Sequence, residues 1–398
     1  MGTSDRNQQC SSGRSTGTAD QPGSETMYQL RQGTRDLVVR LVPESVRRSL
    51  RLKRRRKPVV GRPPGLDSEL LEGIFEEATG AKVGAVSHLQ ISGWRKLSSG
   101  TFRVFVNATD GNKWSIIFKN AVLTSDETPG ISGLPADPGL PEYLIYRQGS
   151  EYLRAYLPLP FVAREIEPKV HYQYLLEDLQ SSGYHSAFAD ADVIWAASAL
   201  PDLQKRMETW VSHDDDSLIR YDAAFSADLR RMTRRSFERY TEAVSDRSVA
   251  DVLGNWESIA RVHSEAIQHD QTLEVPIHGD ANRANLLVHD DHDLPLKLVD
   301  WEWAGIGLPH SDLASLLKGK QDDVTEKGIR AFAGGYPQLS LADHRRLHDW
   351  ARIETRFFDA SYMINQYLES PDTSRMDLPR YIHVSARDIL KTARQIDQ

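Results

Sequence analysis

The chain has 398 residues, a formal net charge of −7, 39% hydrophobic and 26% charged residues, which is ordinary for a soluble globular protein and enough for two or three domains. Its single cysteine, Cys10, excludes an intrachain disulfide and a thiolate metal cluster. No apolar run reaches the roughly 18 residues of a membrane span, and the first residues lack a secretory apolar core, so a cytoplasmic setting is expected.

Residues 1–66 carry 14 Lys/Arg against 5 Asp/Glu, about +9, which leaves about −16 on the remainder. An acidic body argues against specific nucleic-acid binding and favours a cationic or neutral small substrate. Residues 1–30, rich in Ser, Gly, Thr and Gln, read as disordered. In residues 35–57, Leu37, Val38, Leu41, Val46, Leu50 and Leu52 interleave with arginines. This segment is either a solvated basic tail or a contact with an anionic membrane surface, which would place the protein peripherally on the inner face of a membrane. PVVGRPPG then reads as a linker, so 1–66 is taken as tail and linker.

The folded part is expected from Asp67. In DSELLEGIFEEATG, Asp67 is a candidate N-cap, Leu70, Leu71, Ile74, Phe75 and Ala78 have helical spacing, and Gly80 is a stop. VSHLQISGWRKL, TFRVFVNA and NKWSIIFKN read as strands, the last two joined by the Asp110-Gly111 turn. A Pro/Gly-rich loop runs from Thr128 to Pro141. PEYLIYRQGSEYLRAYL then has helical spacing, and FVAREIEPKVHYQYLLEDL reads as two strands. From about Ser186 the pattern is mostly helical. A β-rich lobe over 67–178 followed by a helical lobe over 179–398 makes the fold class α+β.

One stretch interrupts the helical half. IHGDANRANLLV (277–288) runs from polar residues into an apolar strand, and LKLVDWEWAG (296–305) follows after DDHDLP. The two apolar runs outline a hairpin that brings Asn285 and Asp300 toward one end. An amide and a carboxylate oxygen there suit Mg²⁺, which takes one or two carboxylates together with phosphate oxygens and water. Asp280 could then orient or deprotonate an attacking hydroxyl, as phosphoryl transfer requires. Asp and Asn also border strands as plain turn residues, and that alternative stands beside the chemical one.

The joint pattern, HGD-x4-N followed by a strand ending in DWE, resembles the aminoglycoside phosphotransferase/choline kinase-like family, relatives of the protein kinases. The resemblance implies a bilobal protein-kinase-like fold and Mg²⁺-dependent transfer of the γ-phosphoryl group of ATP (or GTP) to a hydroxyl of a small molecule. It implies Asp280 as the catalytic carboxylate and Asn285 and Asp300 as metal ligands. Upstream it implies a phosphate-covering turn at Ser98, Ser99 and Gly100, a strand lysine at Lys119, and an acid pairing with it, Glu142, with Glu151 as competitor. Backbone groups of Glu177 to Leu179 would meet the adenine. Many family members have a histidine two positions after the catalytic aspartate, where this chain has Asn282; Arg283 beside it either contacts phosphate or substrate or faces solvent. Other readings stay open: a kinase-like binding or scaffold module working through its basic tail, and a protein substrate, which the lack of an A-P-E-ended activation segment disfavours.

Several residues have blander roles. His278 is expected to hold the loop backbone near the active aspartate. Asp312 is a candidate N-cap that by resemblance also braces the catalytic loop. Glu302 is a further candidate for the metal surroundings. The VHDDHDLP cluster reads as a turn rather than a metal site, and SHDDDS from Ser212 as a polar loop. Trp350, Phe357, Phe358 and Tyr362 are read as helical core or as a pocket wall for a cationic substrate.

Overall fold

The computed structural model describes residues 58–92, 100–122, 137, 139–211, 217–269, 273–369 and 378–397. Residues 1–57, including the segment 35–57, lie outside these, as do Ser98, Ser99, most of the Thr128–Pro141 loop and most of SHDDDS.

Strand β1 (Val59–Val60) is followed by helix α1 (Ser68–Thr79) and strands β2 (Val83–Ser92), β3 (Gly100–Ala108) and β4 (Lys113–Val122). Helix α1 starts and stops as its sequence predicts. The Asp67 side chain accepts from the Glu69 and Leu70 amides, and Gly80 closes the last turn at φ 69°, a left-handed conformation that costs glycine little. A short helix α2 (Leu140–Leu144) passes directly into a π turn over Ile145–Gly149, and then come β5 (Pro160–Glu167) and β6 (His171–Glu177). These strands form one sheet in the order β1-β2-β3-β4-β6-β5, antiparallel throughout.

The sequence and the structure differ at two points here. Val59 and Val60, within the stretch read as a linker, pair with His88 and Ser87 as an edge strand. The helical pattern after Pro141 does not make one long helix. Glu142, Tyr143, Ile145, Tyr146 and Gly149 are all buried, a spread wider than one regular α-helical face, and the wide π turn brings them inward.

Side chains alternate across the sheet. On β3, Phe102, Val104 and Val106 are buried, and on β4 Ile116 and Phe118 join them under Leu71 and Phe75 of α1. The opposite face, with Ile117, Tyr172 and Tyr174, packs against Tyr143 and Tyr146 and is continuous with the core of the helical half. Lys119 shares the pleat side of Ile117, so it faces that second core rather than α1.

The helical half opens with β7 (Tyr184–Ser186), α3 (Asp190–Glu208) and β8 (Ile219–Arg220), continues with α4 (Ala223–Ala243), α5 (Arg247–Gly254) and α6 (Trp256–His269), and then reaches β9 (Val275–Ile277), β10 (Leu286–His289), β11 (Lys297–Leu298) and β12 (Gly305–Gly307). Helices α7 (His310–Leu317), α8 (Asp322–Ala333), α9 (Leu341–Glu369) and α10 (Leu378–Ile396) complete it. The predicted hairpin is present, with Leu286 opposite Leu298 and Leu287 opposite Lys297, and β7 pairs on the other side of β10. The polar DDHDL stretch makes the turn, where Asp291 accepts from the Asp293 amide. A second small sheet, β8-β12-β9, carries the chain into and out of the HGD and DWE segments. The result is the α+β, bilobal architecture expected. No helix among the described residues is long and apolar enough to cross a membrane.

Candidate active site

The loop between β9 and β10 is held by its own backbone and by one buried acid. Gly279 sits at φ 80°, and a Cβ there would lie 1.9 Å from the Trp303 carbonyl oxygen, so no other residue fits the observed backbone. Asp312 is fully buried and accepts from the His278 and Gly279 amides at 3.0 and 2.9 Å and from Gln204 Nε2 at 3.1 Å. Burial pushes its carboxyl up to about 6 against these donors. The N-cap of α7 is Pro309, and Asp312 lies inside the first turn, so the capping expectation is corrected while the bracing expectation matches the geometry.

His278 is fully buried and packs on Trp301, with ring centroids 4.3 Å apart. Its Nε2 lies 3.1 Å from the Val299 carbonyl, and its Nδ1 receives the Asp280 amide at 3.3 Å. That assigns the neutral ring with the proton on Nε2, and burial lowers its pKa to about 4. The ring therefore ties the HGD loop to the strand end just before Asp300.

Asp280 is gripped from two sides. Asn282 Nδ2 donates to both carboxylate oxygens at 2.9 Å, and Asn285 Nδ2 donates to Oδ2 at 2.9 Å and to the Asp280 carbonyl at 3.0 Å. Asn282, where the resemblance calls for histidine, thus still orients the carboxylate. Burial raises the Asp280 pKa to about 6, opposed by Asn282 and by the charge of Lys318. The Asn285 amide nitrogen is thereby committed to Asp280. Asp300 has the left-handed φ of 67°, rare for a non-glycine residue and typical of functional turns, and its side chain is 45% exposed.

From the sheet, Lys119 Nζ lies 2.7 Å from Glu142 Oε2 and 2.5 Å from Asp300 Oδ1. Glu142 is the acid that pairs with Lys119, and Glu151 is exposed. Burial works against the Lys119 charge, but Asp300 and then Glu142 outweigh it and hold the ammonium firmly protonated. The same lysine keeps the Asp300 carboxyl low. Glu302 is pushed up by desolvation and by Asp300 and Asp280, with Lys119 opposing. Lys119 therefore joins two lobes: Asp300 is 181 positions away in sequence.

The connection between lobes runs through Glu177, Asp178 and Leu179. Glu177 exchanges backbone and side-chain bonds with Leu159. Asp178 is clamped by Arg103 at 2.8 Å and Ser115 at 2.5 Å. Leu179 is buried with Tyr184, Leu287 and Val299, an apolar wall beside the strand leading to Asp300. Gly100 opens β3 opposite Asn120, one residue from Lys119.

Sequence reasoning missed two residues, Lys318 and Asp359. Arg283 is partly exposed, and its Nη2 donates to the Lys318 carbonyl at 3.0 Å, which ties the HGD loop to the end of α7. Lys318 pairs with Asp359 of α9 at 3.0 Å. Only a lysine just past an apolar helix was visible in the sequence, which helix-end electrostatics alone would explain. Of the aromatic set, Trp350 and Phe357 are core, Phe358 packs edge-on against Trp303 at 4.7 Å, and Tyr362 is exposed.

Residues 171–350 match the model of the phosphotransferase enzyme family. Among solved structures, the chain is similar to spectinomycin phosphotransferase APH(9)-Ia in complex with ADP and spectinomycin, at 13% identity over 84% of this chain and 99% of that one, with a TM-score of 0.53. It is similar to a thermostable mutant of aminoglycoside phosphotransferase APH(4)-Ia in its apo form, at 12% identity over 81% and 98%, TM-score 0.51. It also matches choline kinase LicA from Streptococcus pneumoniae at 13% identity over 82% and 99%, TM-score 0.49. A search of the curated proteins finds no match. The resemblance read from HGD-x4-N and DWE therefore stands: the chain has the protein-kinase-like fold of the phosphotransferases, and the family match spans both motifs.

Proposed function

We propose that this protein is a small-molecule kinase that moves the γ-phosphoryl group of ATP (or GTP) to an acceptor hydroxyl. The observation that carries the reading is the convergence of Lys119, Glu142 and Asp300 on one side of the cleft with Asp280 and Asn285 held rigidly beside them. The ADP complex of the spectinomycin enzyme, which shares the fold, supports nucleotide use, and its spectinomycin supports a small hydroxylated acceptor.

Asp280 receives the proton of the acceptor hydroxyl on a carboxylate oxygen. Asn282 and Asn285 keep that carboxylate aimed, and His278 and Asp312 keep its backbone in place. The acceptor oxygen forms its bond to the γ-phosphorus as the bond from phosphorus to the bridging oxygen breaks, and that electron pair stays on the departing diphosphate. Lys119, aligned by Glu142, takes oxygens of the α- and β-phosphates. The Ser98–Gly100 turn covers the phosphates, and the backbone of Glu177 to Leu179 meets the base beside the Leu179–Leu287–Val299 wall. The donor set of Asp300 carboxylate and Asn285 amide oxygen fits Mg²⁺; bound there, the ion would neutralise phosphate charge. The rest of the catalysis is positioning in a partly desolvated cleft.

A screen of hydroxylated metabolites for ADP (or GDP) release tests the proposal. Asp280→Ala is expected to abolish transfer while nucleotide still binds. A folded Asp280→Ala protein with undiminished transfer would remove Asp280 from the mechanism, and wild-type protein that binds no nucleotide would end the reading.

A further inference from the structure

The catalytic loop is tied through Arg283 to the end of α7, and the end of α7 through Lys318 to the middle of α9. Lys318 contributes more to the field at the Asp280 carboxylate than any other charged side chain, ahead of Asp300, yet it forms no ion pair with Asp280. Its partner is Asp359, at 3.0 Å. Asp359 takes a cation on each oxygen: Oδ1 takes Lys318, and Oδ2 takes Arg356 Nη1 at 3.4 Å. Behind it, Asp388 of α10 takes both Arg356, at 2.7 Å, and Arg352, at 3.0 Å. Three cations thus share these two carboxylates.

Hydrogen-bonding capacity points the same way. Among the described residues Lys318 spends one of its three N–H donors, on Asp359. Its side chain is 26% exposed against 15% for Asp359, so the lysine is the more accessible member of the pair. Arg283 fixes the Lys318 backbone to the catalytic loop, and Asp359 holds its ammonium. A group seated against Lys318 would therefore have a defined position relative to the base. The overall acidity of the body would have favoured a cationic substrate, but net charge acts over the whole surface, whereas an ammonium with unspent donors acts on the group that touches it.

We infer that the acceptor carries, beside its reacting hydroxyl, an anionic group, a carboxylate or a phosphate, that pairs with Lys318 and is placed by the Lys318–Asp359 pair and Arg283. This rests on the phosphotransferase reading and narrows it. Lys318 acts by orienting the acceptor over Asp280.

The test is an acceptor panel with wild-type protein and Mg-ATP, in which hydroxylated carboxylates, hydroxylated phosphate esters, neutral polyols and amino alcohols form four arms read by ADP release. The best acceptors are expected in the carboxylate or the phosphate arm, and the arm that wins identifies the group. For that acceptor, Lys318→Met should raise KM about 10- to 100-fold, the loss of one charge-assisted hydrogen bond, with the KM for ATP unchanged. Lys318→Arg should restore most of the loss, and Lys318→Glu should reverse the charge preference. Best acceptors in the neutral or cationic arms, or an acceptor KM indifferent to Lys318→Met, would overturn the inference while leaving the phosphotransferase reading intact. Mg-ATP binding with no transfer to any arm would count against the phosphotransferase reading itself, and the inference would fall with it.

Discussion

Gly279→Ala tests how the Asp280 carboxylate is held. Gly279 has φ 80°, and an added Cβ would lie 1.9 Å from the Trp303 carbonyl oxygen, 2.5 Å from the Tyr221 hydroxyl and 2.8 Å from the Trp303 carbonyl carbon. Relieving the carbonyl contact alone needs a shift of about 1 Å. The carbonyl has little room to move: it accepts from Tyr221 at 2.7 Å, and the Gly279 amide is tied to Asp312. The left-handed backbone costs an alanine about 1 kcal/mol, and the overpacking about 1–3 kcal/mol more. The sum is about 2–4 kcal/mol of stability, and a displacement of about 1 Å at Asp280 costs about 100-fold in turnover. Gly111→Ala is the control, because it shares the positive φ, 90°, but has nothing within 4 Å; it should lose only about 1 kcal/mol and no activity. Urea unfolding followed by circular dichroism, with phosphoryl transfer measured on the folded fraction, separates the two. If Gly279→Ala loses no more than Gly111→Ala by both measures, the loop is not held as described.

Two further outcomes concern buried charge. Lys119→Met should weaken nucleotide binding and destabilise the fold by about 3 kcal/mol above pH 8, but less below pH 7. Burial already pushes Glu142 up to about 7, and without its cation it takes up a proton instead of staying charged; Lys119→Met/Glu142→Gln should recover stability but not binding, as read by unfolding curves and nucleotide titration. Asp312 has its folded pKa raised to about 6 by burial, above its unfolded value near 4. Its folded form therefore prefers the proton, and its contribution to stability falls by about 3 kcal/mol as pH rises from about 4 to about 6. The wild-type minus Asp312→Asn difference in unfolding free energy should show that slope, and a difference flat with pH would refute the assignment.

What could be read in advance followed the range of the interactions. The Asp67 cap, the Gly80 stop, the β10–β11 hairpin and the order of Lys119, Glu142, Asp280, Asn285 and Asp300 are local patterns or fixed spacings, so the sequence displays them. The Lys318–Asp359 pair is different. It joins α7 to α9 across 41 positions, and its existence depends on how those helices pack, which no periodicity encodes. Asp312 looked like a cap because Asp near a helix start usually is one. Its burial follows from α7 lying directly under the HGD loop. The π turn after α2 was hidden because a helical repeat and a widened turn bury similar apolar residues.

The charge balance of the cleft carries one more consequence. Lys119 acts on three carboxylates, those of Glu142, Asp300 and Glu302, and it is already spent on two of them; Asp280 is compensated in part by Lys318. Each phosphate charge brought to about 6 Å from an uncompensated carboxylate costs about 3 kcal/mol at an effective dielectric of 20. A bare triphosphate is therefore repelled more strongly than a monophosphate, and the repulsion grows with each added phosphate. A divalent cation taken by the Asp300 carboxylate and the Asn285 amide oxygen would reverse the sign, because it binds most tightly where the most phosphate oxygens are present. In chelator, affinity should run AMP over ADP over ATP, and with Mg²⁺ the order should invert. Asp300→Asn should flatten both trends by removing the negative charge that repels the bare nucleotide and that would attract the metal. Titration calorimetry with the three nucleotides in the two buffers reads the order directly. If ATP bound more tightly than AMP in chelator, the cleft would not have the electrostatics that these side chains imply.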